Sequence, residues 1–223
     1  MSLIFKAYAV ALDGKVLARL DGVVDPGTVW SIMGASGAGK SSLLQGIAGF
    51  LAPAFTVSGA VLLDGVDILT RPPEERGVGI MFQNALLFPH MSVLGNVLFA
   101  VPRRDGGETL DRRARRGRAL AALDRVGLRA LERREPETLS GGQRSRVALA
   151  RTLAGAPKAL LLDEPFAALD QALRSEMRRT VFGLARQDGL PVVLVSHDPA
   201  DAEAAGGPVV ALDGLPSPAA QSI

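Results

Sequence analysis

The segment Gly34-Ala35-Ser36-Gly37-Ala38-Gly39-Lys40-Ser41, followed by Ser42, matches the pattern G-x-x-x-x-G-K-[ST]. It lies between an apolar run over 29–33 and a helical pattern over 40–49, the setting that a phosphate-binding loop needs. Its glycines let bare backbone N–H groups close around phosphate oxygens at the positive end of a helix. Lys40 adds a cation for the outer phosphates, and Ser41 a hydroxyl for Mg2+. A second apolar run, over 159–162, ends in Asp163-Glu164-Pro165. Two carboxylates at the end of a buried strand sit where parallel sheets bind ligands. Asp163 suits a water-mediated Mg2+ ligand, and Glu164 suits a base that orients an attacking water. Between these two segments stands Ser140-Gly141-Gly142-Gln143, with Ser140 a good N-cap and two glycines opening the helix start to an anion. One nucleotide does not obviously reach both helix starts, so a second phosphate site on one chain points to a partner subunit.

The elements that must hold these residues can be traced along the chain. The first third alternates β-rich runs over 3–10, 16–24, 29–33 and 57–63 with turn signals, Asp64-Gly65 closing the last. A short buried strand follows at 78–82. From about 91 to 135 the pattern turns helical, polar and Arg-rich, with a loop expected at 102–107. Ser140 opens a helix that reaches about residue 154. The runs at 159–162 and 192–195 are continuously apolar, as strands of a parallel sheet covered on both faces are, and a helix over 171–187 lies between them. There are no internal repeats. The fold class is α/β, with a helical insertion at about 86–145 in a nucleotide-binding core and an expected frayed tail over 213–223.

Composition removes other classes. The chain has 223 residues, no Cys and two His, so disulfide scaffolds, Cys-ligated metal sites, thiol nucleophiles and all-His metal centres are excluded or disfavoured. A content of 48% hydrophobic residues and a mean hydropathy of +0.22 exclude disorder. The longest apolar runs are far below the roughly 20 residues a spanning helix requires. The N-terminal MSLIFKAYAV does not read as a signal peptide, so a cytoplasmic location is expected. Over 103–135 there are 11 Lys and Arg against 6 Asp and Glu. Such a segment is a solvated helix face, or a surface for anionic lipid headgroups or nucleic acid.

Leu139-Ser140-Gly141-Gly142-Gln143, preceded by the phosphate loop and followed by the LLLDEP run, resembles the ATP-binding subunits of ATP-binding cassette (ABC) transporters. The likeness extends from about residue 16 to 211, nearly the whole chain. It implies a P-loop NTPase core, with a mixed or parallel sheet and an antiparallel β subdomain over about 1–85 and 146–212. A helical subdomain would occupy about 86–145, the whole forming a single domain. It also implies a Mg2+-dependent ATPase. Gln83 resembles the Q-loop glutamine that links metal and water to the transmembrane partner. Asp170, in Ala167-Ala168-Leu169-Asp170, resembles the D-loop aspartate, and His197, in VLVSHD, the switch histidine that contacts the γ-phosphate. A lone His after a strand is commonly structural, and it is this motif order that carries the reading. The family arrangement is a head-to-tail homodimer, with each ATP between the P-loop of one chain and Ser140–Gln143 of the other.

The residues after Gln83, Asn84-Ala85-Leu86-Leu87-Phe88-Pro89-His90-Met91-Ser92-Val93, resemble those of bacterial importers that work with a periplasmic solute-binding protein. The chain also resembles the short thiamine-importer-like ATPases of this group. That resemblance implies transmembrane permease subunits docked on Leu86, Leu87, Phe88 and Met91, and a peripheral position on the cytoplasmic side of the inner membrane. The alternatives are an exporter or lipoprotein-release ATPase and, less so, a soluble ABC ATPase acting on nucleic acid or ribosomes. No nucleic-acid partner is expected, since the chain has one cassette and no long coiled-coil insertion. One departure concerns adenine. The family stacks it on an aromatic shortly before the Val-Leu pair of its second strand, and here Leu12 or Ala11 takes that place, with Tyr8 somewhat early. Loss of stacking would weaken ATP binding by about 1 kcal/mol, and Leu12→Tyr would restore it.

Overall fold

The computed structural model describes residues 1–35 and 37–212, with Asp105 described by its backbone only. Ser36 of the expected phosphate loop and the expected tail over 213–223 lie outside the described residues. In chain order the elements begin with β1 (Leu3–Leu12), β2 (Lys15–Val24), β3 (Val29–Gly34), α1 (Lys40–Ala48), β4 (Phe55–Leu63), β5 (Val66–Asp67) and β6 (Val78–Met81). The middle of the chain holds α2 (Val93–Ala100), β7 (Arg104–Asp105), β8 (Glu108–Thr109), α3 (Arg112–Arg125) and α4 (Gly141–Ala154). The last part holds β9 (Ala159–Asp163), α5 (Gln171–Gln187), β10 (Val192–Val195), α6 (Pro199–Ala205) and β11 (Val209–Leu212).

Two sheets carry the molecule. One is parallel, in the order β11-β3-β10-β9-β6, and the other is antiparallel, in the order β2-β1-β4-β5. The continuous apolar runs of β9 and β10 have a simple cause, because both faces of the parallel sheet are covered. Ala159, Leu161, Val193 and Val195 face a core shared with α1 and the antiparallel sheet. Leu160, Leu162, Val192 and Leu194 face a second core built with α2, α3, α4 and α5. α1 is thus enclosed between the two sheets, through Leu43, Leu44 and Ile47, all fully buried. Its fit there is close. Tyr8 of β1 donates its hydroxyl to Leu43 O at 2.9 Å, and a Cβ on Gly46 would lie 2.2 Å from that hydroxyl oxygen.

The helical part is built on the second core. A single helix, α4, runs across the boundary expected near residue 145 and packs against both α2 and α3. The loop expected at 102–107 is instead a small hairpin, β7 against β8, turning at Gly106 and Gly107 with φ of 56° and 91°. Both turn residues are left-handed, the backbone that suits a two-residue hairpin. The flanking strands are polar and carry no apolar alternation, so nothing but the Gly-Gly pair marked them. Many of the arginines here are already engaged. Arg115 donates to Leu98 O and Val101 O at the end of α2, Arg125 pairs with Asp188 at 2.7 Å, and Arg116 with Glu132 at 3.2 Å.

Candidate functional site

The phosphate loop joins the C-terminal end of β3 to α1. Gly34 could not be another residue without displacing the edge strand, because a Cβ there would lie 2.7 Å from Leu212 O of β11. Gly39, left-handed at φ 78°, starts α1 and leaves it without a side-chain cap. The other five α-helices among the described residues are each capped by their own Ser or Asp. The first-turn N–H groups of α1 are therefore available to an anion, where the helix dipole favours one. Lys40 is buried, and its ammonium donates to Gly34 O at 2.8 Å and Ala35 O at 2.7 Å. An ammonium has three donors, so one is left for a phosphate oxygen.

β9 brings the two carboxylates to the same end of the sheet. Ser41 Oγ donates to Asp163 Oδ1 at 2.8 Å. Burial pushes the Asp163 carboxyl above its ordinary pKa. The Ser41 hydrogen bond opposes this, Glu164 adds to it, and Lys40 opposes it. Glu164 turns the chain out of the strand with φ at 45°, left-handed for a non-glycine residue, held by its N–H donating to Val195 O at 2.9 Å. Strain of this kind persists where neighbouring structure fixes it. The side chain lines the cleft, and its Oε2 is 3.2 Å from His197 Nδ1.

The His197 ring is 64% exposed, but the backbone beneath it is pinned. Ser196 Oγ donates to Asp201 Oδ2 at 2.5 Å and accepts from Asp198 N at 3.0 Å. From α5, Arg174 and Arg178 reach Asp198 Oδ2 at 2.8 and 2.9 Å, and Arg178 also pairs with Asp201. The Ala200 N–H, outweighing partial burial, and the two arginines hold the Asp198 carboxyl below its ordinary pKa. Asp170 caps α5, accepting from Leu173 N at 3.0 Å.

Gln83 follows β6, which pairs in parallel with β9, and so emerges at the same sheet edge, exposed. The segment beyond it is held by two residues that the sequence reading did not single out. Asn96 of α2, fully buried, donates to Phe88 O, Met91 O and Ser92 O, each at 3.1 Å, and accepts from Phe88 N at 2.8 Å. Arg151 of α4 donates to Leu86 O at 2.7 Å and Ala85 O at 2.9 Å, with Phe88 in cation–π contact at 5.8 Å. A buried Asn on an apolar helix face was the one available sign. At the other end of α4, Ser140 and Gln143 form a reciprocal capping box, with Gln143 Oε1 accepting from Ser140 N at 3.0 Å and Ser140 Oγ from Gln143 N at 3.2 Å. That leaves the Gly141 and Gly142 N–H groups for an anion.

Gly37, Gly39, Lys40, Ser41, Ser42 and Glu164 line one cleft of about 320 Å3, together with Leu17 and Phe55. Ser140, Gly141, Gly142 and Gln143 are not among its lining residues. Nor are Leu12, Ala11 and Tyr8, the residues expected near a purine, and Tyr8 is fully buried in the core. Ser41 and Asp163 suit Mg2+ by chemistry, offering two hard oxygen donors held together by a hydrogen bond. Among the described residues no cluster of three acidic or His side chains is poised for a metal. Such a pair fits an ion that draws its remaining ligands from phosphate and water.

The family model for the ABC transporter matches residues 17–167. The chain is 45% identical over 192 residues to the Uncharacterized ABC transporter ATP-binding protein YnjD of Escherichia coli (strain K12), covering 86% of each chain. It is 44% identical over 184 residues to the Thiamine import ATP-binding protein ThiQ of Jannaschia sp. (strain CCS1), covering 82% of this chain and 77% of that one. A match to the Spermidine/putrescine import ATP-binding protein PotA of Frankia alni is 44% identical over 186 residues, 83% of this chain but 38% of the relative. Among solved structures, the dimeric structure of MJ0796, a bacterial ABC transporter cassette, superposes with a TM-score of 0.75 at 29% identity over 95% of this chain and 94% of that one. With its phosphate loop, its paired carboxylates and the capped glycine helix start held on this cassette, the chain belongs to the ABC transporter family and is an ATPase of that family.

Proposed function

We propose that the chain is the ATP-hydrolysing subunit of a binding-protein-dependent importer of a small solute, acting as a homodimer docked on transmembrane permease subunits on the cytoplasmic side of the inner membrane. One observation carries the chemistry: Lys40, Ser41 and Glu164 line a single cleft, and Asp163 and His197 join them through the Ser41–Asp163 hydrogen bond and the Glu164–His197 contact. The glycine-rich loop from Gly37 and the first turn of α1 would wrap the phosphates with backbone N–H groups, and Lys40 would supply its remaining donor. Ser41 and Asp163, with Gln83, would hold Mg2+, whose charge offsets the negative charge gathering on the phosphoryl oxygens. Glu164 would orient a water and accept its proton as the water oxygen bonds the γ-phosphorus and the bond to the bridging oxygen breaks, releasing ADP and phosphate, while His197 would support charge on the γ-phosphate oxygens. Asp170 belongs to the loop that would meet the partner subunit. The Gly141 and Gly142 N–H groups face the partner's ATP, so nucleotide joins the two chains and hydrolysis lets them part.

Import is supported by the thiamine and polyamine import subunits among the relatives, and permease docking by a second, apolar groove of about 660 Å3. Phe50, Leu86, Phe88 and Phe99 line it beside Arg151, and Phe50, Leu86 and Phe99 are each more than half exposed. Of the four residues expected at such a surface, Leu86 and Phe88 line this groove, and Leu87 and Met91 do not. Leu87 packs instead against the helical core, and Phe50 and Phe99 join from distant positions. Among the described residues no helix is long and apolar enough to cross a membrane, which fits a subunit that reaches the membrane through others. Purification from native membranes under mild detergent should bring down a polytopic permease, and its ATPase should rise with solute-loaded binding protein. Recovery with an export or lipoprotein-release permease, and no stimulation by any binding protein, would overturn import.

A further inference from the structure

We propose that Phe55, the first residue of β4, is the stacking platform for the nucleobase, standing in for an aromatic at the end of β1. The proposal rests on reading the cleft as an ATP site. That cleft is divided chemically: the phosphate loop and Glu164 form one part, and Leu17 with Phe55 the apolar remainder. A nucleoside triphosphate is divided in the same way, into an anionic tail and a flat π-system. Phe55 is the one aromatic lining the cleft among the described residues. Tyr8 and Phe5 are buried in the core, and Trp30 packs half-buried against it.

Strand register explains how a residue some forty positions further on comes to this place. Leu12 at the end of β1 pairs directly with Phe55 at the start of β4, and directly opposed residues of an antiparallel pair project to one face. The side chain moves across one strand, not across the site. The position is also firmly held. Phe55 N donates to Ala52 O at 3.0 Å, Asp13 N donates to Ala54 O at 3.4 Å, and the ring is half-buried against the core. A ring ordered before binding loses little entropy when it stacks. None of the lining residues is an Asn, Gln or Asp that could read a base edge, and stacking alone tolerates any base.

Equilibrium titration should compare ATP, GTP and inorganic tripolyphosphate on wild type, Phe55→Ala, Phe55→Leu, Phe55→Trp and Leu12→Tyr, each first checked for an unchanged thermal melt. Phe55→Ala should weaken ATP and GTP alike by about tenfold and leave tripolyphosphate unchanged. Phe55→Leu should lose nearly as much, and Phe55→Trp should bind ATP at least as tightly as wild type. Leu12→Tyr, expected from the sequence to restore a missing stack, should instead change little, because Phe55 already supplies it. Equal loss for ATP and tripolyphosphate would overturn the proposal, since Phe55 would then only shape the loop. So would an unchanged ATP affinity in Phe55→Ala together with tightening in Leu12→Tyr. Both of those leave the ATPase reading standing, whereas a wild type that binds neither ATP nor tripolyphosphate would remove that reading and this one together.

Discussion

Asp163 illustrates the conflict at the scale of single residues. Burial raises its pKa, so the folded protein binds its proton more tightly than the unfolded chain does, and at neutral pH the ionised form costs stability. Asp163→Asn keeps an oxygen for the Ser41 hydroxyl and removes the charge. It should raise the melting temperature by about 2 °C at pH 7 while abolishing Mg2+-dependent hydrolysis, measured by calorimetry and phosphate release. Asp198 has the opposite sign. Its carboxyl is held below the ordinary value of 3.8, so its contribution is complete above that value and is lost as pH falls through the lower folded pKa. Asp198→Asn should therefore lower the melting temperature at pH 7 and shrink that loss in the most acidic melts. The residues whose placement near the cleft the sequence anticipated, Gly37, Gly39, Lys40, Ser41 and Ser42 with Asp163 and Glu164, share short segments whose chemistry is local. Phe55, Asn96 and Arg151 were not legible, because each acts on a segment brought near only by strand pairing or helix packing.

Two contacts between elements set how the site is held. Gly46 lies inside α1, where Ala would ordinarily be favoured by about 1 kcal/mol. Here the added Cβ would sit 2.2 Å from the Tyr8 hydroxyl oxygen, on a buried ring with no room to withdraw. Gly46→Ala should destabilise the protein by about 2 kcal/mol in urea melts. Tyr8→Phe should recover part of that loss, although alone it costs the hydrogen bond to Leu43. Arg151 is the tie between α4, which Ser140 caps, and the segment that leaves Gln83. Arg151→Met should speed amide exchange over 84–91 and lower stability by about 1 kcal/mol, with nucleotide affinity unchanged. The strands read at 159–162 and 192–195 and the helix at 171–187 were legible because their apolar pattern follows directly from what covers them, β9 extending one residue further to Asp163. The β7–β8 hairpin was not, since polar residues around a Gly-Gly pair carry no burial signal.

At the scale of the whole molecule, the cleft is lined by phosphate-loop residues and Glu164, with Asp163 hydrogen-bonded to Ser41 beside it, while the glycine start of α4 is absent from its lining. Two anion sites on one chain, one capped only by glycine and the other by its own capping box, make sense when a second copy completes each site. The sequence alone posed this puzzle, and the proposed homodimer would answer it. The most direct measurement is light scattering with and without ATP on Glu164→Gln, alongside steady-state hydrolysis. The expected result is ATP binding near wild-type affinity, hydrolysis lowered by at least about a hundredfold, and a stable ATP-dependent dimer that disperses when Ser140→Arg is added. Near-wild-type hydrolysis by Glu164→Gln, or a chain that remains monomeric with ATP bound, would contradict the account.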